Sequence, residues 1–202
     1  ARRRGVGGGP RPPARGRLGA RTGVADGGMH CRGHADVMDD REDYDDVVTD
    51  VRDELAARVD VLLAAGVRRE QVVLDPGLGF SKAGSSNWPL LARLRELEAL
   101  GLPVLVGASR KRVLGHLRAR SDGRPVPPLL RDDATAAVTT LAAASGAWCV
   151  RVHAVRASAD AVRVAAAWGR ARDEVVGPGD GAAAEPTDRP RAGSDSTARP
   201  TT

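Results

Sequence analysis

Short apolar runs and longer amphipathic stretches alternate through the central part of the chain. Three short runs rich in β-branched or branched apolar residues predict buried strands. These runs span residues 72–74, 103–106 and 148–152. Four longer stretches carry apolar residues at helical spacing and predict amphipathic helices. They span about 44–63, 90–100, 132–145 and 158–169. This alternation predicts a parallel α/β sheet with helical crossovers.

Residues typical of helix caps flank the predicted helices. Gly66, Gly101 and Gly146 follow three of the helical stretches, as C-cap glycines do. Asn87 precedes another stretch, and Ser109 is predicted to cap a helix that begins in the run SRKR. We therefore expect one continuous helix from 87 to Gly101 and a further short helix after Ser109.

Polar side chains gather where the predicted strands end. We interpret residues 29–34 as a further strand end followed by a loop, which includes His30. The other residues are Asp75, Ser109, Lys111, Arg151 and His153. Because the carboxyl ends of parallel strands share one edge of a sheet, the sequence predicts that they form one site. For Lys111 the alternative is a surface charge on a helix. For Arg151 and His153 it is an ordinary, half-exposed strand end.

The loop after the first of these strands carries the strongest local signal. It reads DPGLGFSK over residues 75–82, so that a buried strand stops at Asp75 and two glycines break regular structure. Phe80 is the single phenylalanine of the chain, and Lys82 is one of two lysines among 31 basic residues. We interpret the loop as a ligand-binding loop; the alternative is a solvated turn.

Both ends of the chain differ in composition from its centre. Residues 1–28 are rich in Arg, Gly and Pro, and residues 170–202 in Gly, Ala, Pro, Asp and Arg. Neither end offers enough apolar surface to offset the entropy of ordering, so we predict that both are disordered. The folding unit is then predicted to span residues 29–169.

The net charge of +5 arises mainly at the N-terminal end. With 2% aromatic residues there is little to stack on bases, so nucleic acid is not an expected partner, although an Arg/Gly-rich arm could bind RNA loosely. No apolar run reaches the length of a membrane span.

Cys31 and Cys149 fit reduced thiols and a cytoplasmic protein. His30, Cys31 and His34 lack a fourth ligand at zinc-site spacing, which disfavours a zinc site.

Several of these motifs together resemble one enzyme family. They are MHCRGHADVM at 29–38, DPGLGFSK at 75–82, Asn87 with its helix, PVLVGASRKRVLG at 103–115 and RVHAVRASADAV at 151–162. In this order and at this spacing they resemble dihydropteroate synthase. The resemblance implies a TIM barrel and the condensation of 6-hydroxymethyl-7,8-dihydropterin diphosphate with 4-aminobenzoate in folate synthesis. It also implies a target of sulfonamides.

The resemblance implies roles for the residues at the strand ends. Asp75 and Lys111 would bind the pterin, and Arg151 with His153 would bind the diphosphate that leaves. The 4-aminobenzoate would lie against a set formed by Phe80, Lys82 and Ser109. Lys111, Arg151 and His153 would be the catalytic residues, acting by electrostatic stabilisation and positioning, since the reaction needs no enzyme nucleophile.

The match with this family begins at its fifth strand. We therefore expect about four βα units, the C-terminal half of a (βα)8 barrel, and no synthase activity from this chain alone. The family also implies Mg²⁺, with its protein ligand in the N-terminal half, and a homodimer formed through helices of the C-terminal half. The alternatives are a related pterin-binding methyltransferase barrel, which needs no diphosphate site, and a non-catalytic fragment or partner protein.

Overall fold

The computed structural model of the chain describes residues 26–32, 43–82, 84–119 and 121–175. The predicted disorder of residues 1–25 and 176–202, and the possible ligand His34, lie outside the described residues. Two boundaries of the predicted folding unit are wrong. Residues 26–28 belong to the first strand, and the last helix continues six residues beyond 169.

Four short parallel strands form the centre of the fold. They are β1 (Asp26–Met29), β2 (Val72–Asp75), β3 (Leu105–Val106) and β4 (Cys149–Val150). β1 pairs with β2 and β3 pairs with β4, both in parallel. A parallel bridge between Leu74 and Val104 places β2 beside β3. The spatial order of the strands is therefore their order in sequence, as in a (βα)8 barrel and unlike a doubly wound sheet.

Helices connect successive strands. The α-helices are α1 (Val47–Ala64), α2 (Asn87–Ala92), α3 (Arg112–His116), α4 (Asp132–Ala144) and α5 (Val155–Val175). Shorter 3₁₀ segments occupy Arg69–Gln71, Gly84–Ser86, Leu94–Leu100 and Pro128–Arg131. The predicted α/β class with about four strand–helix units is confirmed within the described part of the chain.

The sheet is buried on the side that faces the helices. Val72 and Leu74 of β2 have no exposed surface, and neither do Val48, Val51 and Leu55 of α1. On β2 the buried pair alternates with Val73, which is only partly buried and points to the other face. The core therefore lies between sheet and helices, and the opposite face of the sheet is left for a cavity.

The ends of α1 explain why this helix forms as predicted. The side chain of Asp46 accepts a hydrogen bond from the backbone N–H of Thr49 at 2.7 Å, which caps the first turn. At the other end Gly66 has a φ of +90°, and the N–H of Val67 donates to the carbonyl of Leu62 at 3.1 Å. This is the C-terminal capping geometry that favours glycine.

The continuous helix predicted from 87 to Gly101 is wrong in one respect. α2 ends at Ala92, and residues 94–100 continue as a 3₁₀ helix. Leu94, Leu97 and Leu100 are three residues apart, which places them on one side of a helix with three residues per turn. Burial of that leucine row accounts for the tighter winding.

The start of the last helix also differs from the prediction. α5 begins at Val155 instead of residue 158. Ser158 lies inside its first turns with its backbone N–H bonded to the carbonyl of Ala154 at 3.2 Å. Within the described ranges no helix is both long enough and apolar enough to cross a membrane.

Candidate functional site at the carboxyl ends of the strands

A cavity of about 320 Å³ lies on the face of the sheet that the helices leave uncovered. Its walls are residues from all four strand regions, namely Gly27, Met29, Val73, Asp75, Leu105, Trp148 and Arg151. Positions 27 and 29, and positions 73 and 75, are two apart on their strands, so each pair lies on the same face of the sheet. The cavity is apolar along the strands and carries opposite charges at Asp75 and Arg151.

Asp75 ends β2 with its carboxylate anchored to its own loop. One carboxylate oxygen accepts a hydrogen bond from the N–H of Gly77 at 2.8 Å. Gly77 has a φ of +65°, and a Cβ at this position would overlap the carbonyl oxygen of His30. Glycine is therefore required both for the backbone conformation and for the close approach of the loop to the end of β1.

Arg151 reaches across from the end of β4 to Asp75. Its Nη2 lies 3.3 Å from Oδ2 of Asp75, while 59% of the arginine side chain is exposed. The guanidinium crosses Gly107, where a Cβ would lie only 2.6 Å from Nη2. A single long contact leaves most of the five N–H donors of the guanidinium directed elsewhere, so Arg151 can bind an anion while it stays near Asp75.

Lys111 comes from the loop after β3 and contacts the loop after β2. Its ammonium donates to the carbonyl of Leu78 and lies 4.1 Å from the centre of the Phe80 ring. Burial lowers the pKa of Lys111 to about 8, while nearby Asp75 acts against this shift and Arg151 adds to it. The predicted alternative, a plain surface charge, does not describe a lysine in this position.

His153 is held by Ser109. Oγ of Ser109 accepts the backbone N–H of His153 at 3.2 Å and lies 2.9 Å from Nδ1 of its ring. When the hydroxyl donates to Nδ1, the proton of the neutral ring is on Nε2, which is then a donor for an anion. The predicted strand over 148–152 is shorter in the structure, and both Arg151 and His153 follow β4.

The predicted helix cap at Ser109 is wrong. α3 begins only at Arg112, its N-cap is Lys111, and no side chain caps it. The hydroxyl of Ser109 is bonded to His153 instead, and the side chain is largely buried. This geometry favours a role in orienting His153 over the predicted contact with the carboxylate of 4-aminobenzoate.

Lys82 also differs from its predicted position. Only 5% of this residue is exposed, and its ammonium lies 2.9 Å from Nδ1 of His30. It donates to the carbonyl oxygens of Phe80 at 2.9 Å and Gly77 at 3.1 Å. The ammonium thus bonds the interior of the loop, which does not fit a direct contact with 4-aminobenzoate. Phe80 is partly exposed and stays in reach of the loop surface.

Sequence reasoning missed the charged groups behind this loop. Nε2 of His30 lies 2.9 Å from Oε2 of Glu54 on α1. Arg32 donates from Nε to the other oxygen of Glu54 at 2.8 Å and stacks 3.9 Å over the ring of Tyr44. Asp50 lies one helical turn before Glu54, at 3.2 Å from Arg32. Two carboxylates four residues apart on one helix face were the signal available in the sequence.

Metal ligation does not explain these groups. Both ring nitrogens of His30 have hydrogen-bond partners in the structure, namely Glu54 and Lys82. Nowhere in residues 26–32, 43–82, 84–119 and 121–175 do three His, Cys, Asp or Glu side chains cluster to hold a metal ion. Asp75 is the carboxylate of the cavity wall, and its neighbours are cations. The described residues therefore do not fit a Mg²⁺ site.

The arrangement as a whole can bind a planar polar ligand that carries an anion. Asp75 offers a carboxylate to paired N–H donors, and Lys111 offers a donor beside it. Arg151 and His153 add donors for negative charge at the neighbouring strand end. The structure thus brings together three residues that the sequence predicted as one site, namely Asp75, Lys111 and Arg151. His153 follows Arg151 by two residues and is held by Ser109.

Comparison with known families gives a match over most of the chain. The model of a family described as pterin binding enzyme matches residues 6–153. This range includes residues 6–28, which the sequence pattern had set apart from the family resemblance.

Curated relatives of this chain include dihydropteroate synthases from several bacteria. The dihydropteroate synthase of Mycobacterium leprae (strain TN) is 52% identical over 164 residues, which are 81% of this chain and 58% of that protein. The dihydropteroate synthase of Synechocystis sp. is 42% identical over 137 residues, or 68% of this chain and 46% of the relative. The chain therefore spans about half the length of the curated relatives it matches.

Solved structures agree with these relatives. Dihydropteroate synthase from Thermus thermophilus in complex with 4-aminobenzoate aligns with a TM-score of 0.68 and 42% identity, over 76% of this chain and 60% of that one. The Yersinia pestis dihydropteroate synthase in a sulfonamide drug complex aligns with a TM-score of 0.71 and 35% identity, over 77% and 54% respectively. The predicted barrel type of the fold is confirmed by these neighbours.

Proposed function

Because the chain belongs to the pterin-binding enzyme family, we propose that its strand-end site is part of a dihydropteroate synthase. The reaction joins 6-hydroxymethyl-7,8-dihydropterin diphosphate to 4-aminobenzoate and releases diphosphate. The observation that carries this proposal is the pairing of one carboxylate with three cationic or donor side chains at adjoining strand ends. The carboxylate suits the N–H donors of a pterin ring, and the cationic and donor side chains suit its anionic leaving group.

Asp75 is proposed to bind the pterin ring. The 2-amino group and adjacent ring N–H of a pterin form a pair of parallel donors, and a carboxylate accepts such a pair with both oxygens. The N–H of Gly77 already fixes one of these oxygens. The carboxylate is therefore held in place before the ligand arrives, which lowers the cost of binding.

Arg151 and His153 are proposed to bind the diphosphate. In the reaction the bond between the pterin methylene carbon and the diphosphate oxygen breaks, and that oxygen keeps the electron pair. The amine nitrogen of 4-aminobenzoate forms the new bond to carbon and loses a proton. Donors that meet the leaving oxygen stabilise the charge that grows on it. Arg151 brings a permanent positive charge to that position, and His153 an N–H donor.

Lys111 is proposed to bind the polar edge of the pterin while it contacts Phe80. The Lys111 ammonium lies over the Phe80 ring, 4.1 Å from its centre, and we propose that the remaining surface of this ring packs against the ring of 4-aminobenzoate. Lys82 is proposed to act on the 4-aminobenzoate through Phe80, and Ser109 is proposed to act on the diphosphate through His153 instead of on the 4-aminobenzoate.

Three further parts of the proposal concern the surroundings of the site. The family resemblance implies Mg²⁺ bound with the diphosphate, with its protein ligand outside the residues described, and no step above depends on it. We propose a cytoplasmic protein.

We also propose a homodimer formed through α4 and α5, which is supported by the exposure of Leu141, Val164 and Trp168 on these helices. Light scattering of a Trp168→Glu variant, expected to be monomeric, tests the dimer.

Calorimetric titration with inorganic diphosphate tests the proposed function. We expect the chain to bind diphosphate and the Arg151→Met variant to bind it at least about tenfold more weakly, a loss of about 1.4 kcal/mol. Arg163→Met is the matched control, because Arg163 pairs with Asp160 on the exposed side of α5, outside the site.

Two other outcomes would redirect the assignment. A protein that binds 6-hydroxymethyl-7,8-dihydropterin but no diphosphate would have the properties of a pterin-binding methyltransferase barrel. A protein that binds neither would be a non-catalytic member of the family.

A further inference from the structure

The ammonium of Lys82 is buried and has three acceptors around it. They are Nδ1 of His30 and Phe80 O, each at 2.9 Å, and Gly77 O at 3.1 Å. An ammonium has three N–H groups, so this set of acceptors uses all of them. Two of the acceptors are backbone atoms of the loop that carries Phe80. Lys82 thus draws the start and the end of the stretch 77–80 toward one atom.

His30 connects Lys82 to helix α1. The imidazole is 1% exposed, and because Nδ1 accepts from Lys82, Nε2 carries the proton and donates to Glu54 at 2.9 Å. Burial lowers the pKa of His30 to about 4, so the ring is neutral near pH 7. The pKa of Glu54 is lowered to about 2, because hydrogen bonds from His30 and Arg32 outweigh the opposing effect of burial. The chain Lys82–His30–Glu54 is therefore fully bonded and ends in a carboxylate.

The residue between Phe80 and Lys82 has a strained backbone. Ser81 has a φ of +52°, a conformation that costs a non-glycine residue about 1 kcal/mol or more. Contacts from outside the loop hold it there. The hydroxyl of Tyr44 donates to Ser81 O at 2.7 Å, and the N–H of Arg32 donates to Oγ of Ser81 at 3.0 Å. Such a conformation persists only where its surroundings enforce it.

The same loop carries the contacts of the proposed site. Lys111 donates to Leu78 O and lies against the ring of Phe80. The carbonyls at 77, 78 and 80 are thus bonded by two different lysines, one buried behind the loop and one in the site. A movement of the loop changes the position of Phe80 and Lys111 together.

We propose that Lys82 and His30 are positioning residues, which set Phe80 and Lys111 through the buried chain that ends at Glu54. They do not touch substrate themselves. The inference rests on the proposed function for the identity of the ligands, but its geometric part concerns this chain alone. The test therefore includes two measurements that need no substrate.

The composition of the chain makes these measurements selective. Phe80 is the one phenylalanine, so protein labelled with 4-fluorophenylalanine gives a single ¹⁹F resonance. Lys82 and Lys111 are the two lysines, so labelling with [ε-¹³C]lysine gives two signals, and a Lys82→Met variant retains only that of Lys111. Arg69→Met is the matched control, because Arg69 donates to the carbonyl of Leu100, at the end of the 3₁₀ segment Leu94–Leu100 and away from the site.

We expect Lys82→Met to shift or broaden the Phe80 resonance and to move the Lys111 titration toward the ordinary lysine value. Binding of 4-aminobenzoate in the presence of diphosphate should weaken about tenfold, while binding of 6-hydroxymethyl-7,8-dihydropterin changes less than about twofold. Arg69→Met should leave all four quantities unchanged. An unchanged ¹⁹F resonance and Lys111 titration in a folded Lys82→Met protein would overturn the proposal and make Lys82 a purely structural residue.

Two further outcomes are covered. If the unaltered chain binds neither substrate, the proposed function fails, and the ¹⁹F and ¹³C measurements still decide the positioning role. If Lys82→Met does not fold, Glu54→Leu takes its place, since Glu54 is on the exposed end of the chain of bonds. In Glu54→Leu the N–H at Nε2 of His30 loses its acceptor, so the His30 ring should become free to move and the Phe80 resonance should shift. An unshifted Phe80 resonance overturns the proposal.

Discussion

Substitution of Asp75 by Asn separates ligand binding from fold stability. The Asn side chain keeps one carbonyl oxygen, which can still accept the N–H of Gly77 that now lies at 2.8 Å. The contact that is lost is the one with Arg151, whose Nη2 lies 3.3 Å from Oδ2 of Asp75 and whose side chain is 59% exposed. Ion pairs of this kind contribute about 0–1 kcal/mol, so we expect the free energy of unfolding to fall by less than about 1 kcal/mol.

The effect on pterin binding should be much larger. A carboxylate that accepts two N–H donors makes two charge-assisted hydrogen bonds, whereas the amide accepts one and places an N–H against the second donor. Each such bond contributes about 1.5–3 kcal/mol. We expect a total loss of about 3–4 kcal/mol, which corresponds to a dissociation constant ~10²- to 10³-fold higher.

Two assays measure these quantities in the same preparations. Calorimetric titration with 6-hydroxymethyl-7,8-dihydropterin gives the dissociation constant, and urea unfolding followed by tryptophan fluorescence gives the stability. Asp53→Asn is the control, because Asp53 is exposed and pairs only with its neighbour Arg52 among the contacts described. Affinity within about threefold of the unaltered protein would refute the assignment of Asp75. A stability loss above about 2 kcal/mol would also refute this reasoning, because the effect would then be structural.

Three further predictions follow from the same region. Titration of [ε-¹³C]lysine-labelled protein should give pKa values of about 7 for Lys82 and about 8 for Lys111; two values near 10.5 would contradict the burial of both ammonium groups. Gly77→Ala should lower the free energy of unfolding by about 3 kcal/mol or more, because it adds an overlap with His30 O to the cost of a positive φ. Gly123→Ala, with a φ of +76° and open space around it, should lose only about 1 kcal/mol in the same urea unfolding experiment. Finally, the pKa of His30 lies near 4 in the folded protein against 6.5 for a free imidazole. The unfolded chain therefore binds an extra proton between these values, and stability should fall by up to about 3 kcal/mol as the pH drops from 6.5 to 4. In a His30→Gln variant this part of the pH dependence should be absent.

Elements with a strong internal pattern could be predicted from the sequence. α1 and α4 carry apolar residues at helical spacing and end at Gly66 and Gly146, and both helices lie close to their predicted positions. β2 was predicted from its apolar run. In contrast, residues 26–28 of β1 include two glycines and no apolar run, so only pairing with β2 makes them a strand. Tertiary pairing of this kind has no local signal.

The site shows the same division. Asp75, Lys111 and Arg151 could be predicted because each lies at the end of a strand or in the loop that follows it, and parallel strands end at a common edge. The hydrogen-bond partners of Lys82 and Ser109 could not, since these depend on which side chain turns inward after the loops close. His30 lies 52 residues from Lys82 and Glu54 lies 24 residues from His30. These three residues meet only because the chain packs in this way, and their separation in sequence follows no helical or strand spacing that could have predicted the contacts.

The most direct test of the site is a pair of titrations with the pterin alcohol and its diphosphate ester. If Asp75 and Arg151 bind the two halves of one substrate, 6-hydroxymethyl-7,8-dihydropterin diphosphate should bind at least about tenfold more tightly than 6-hydroxymethyl-7,8-dihydropterin. The difference should disappear in Arg151→Met, while the affinity for the alcohol is retained. Equal affinities for the two ligands in the unaltered chain would contradict a diphosphate site beside the pterin site, and with it the assignment as part of a dihydropteroate synthase.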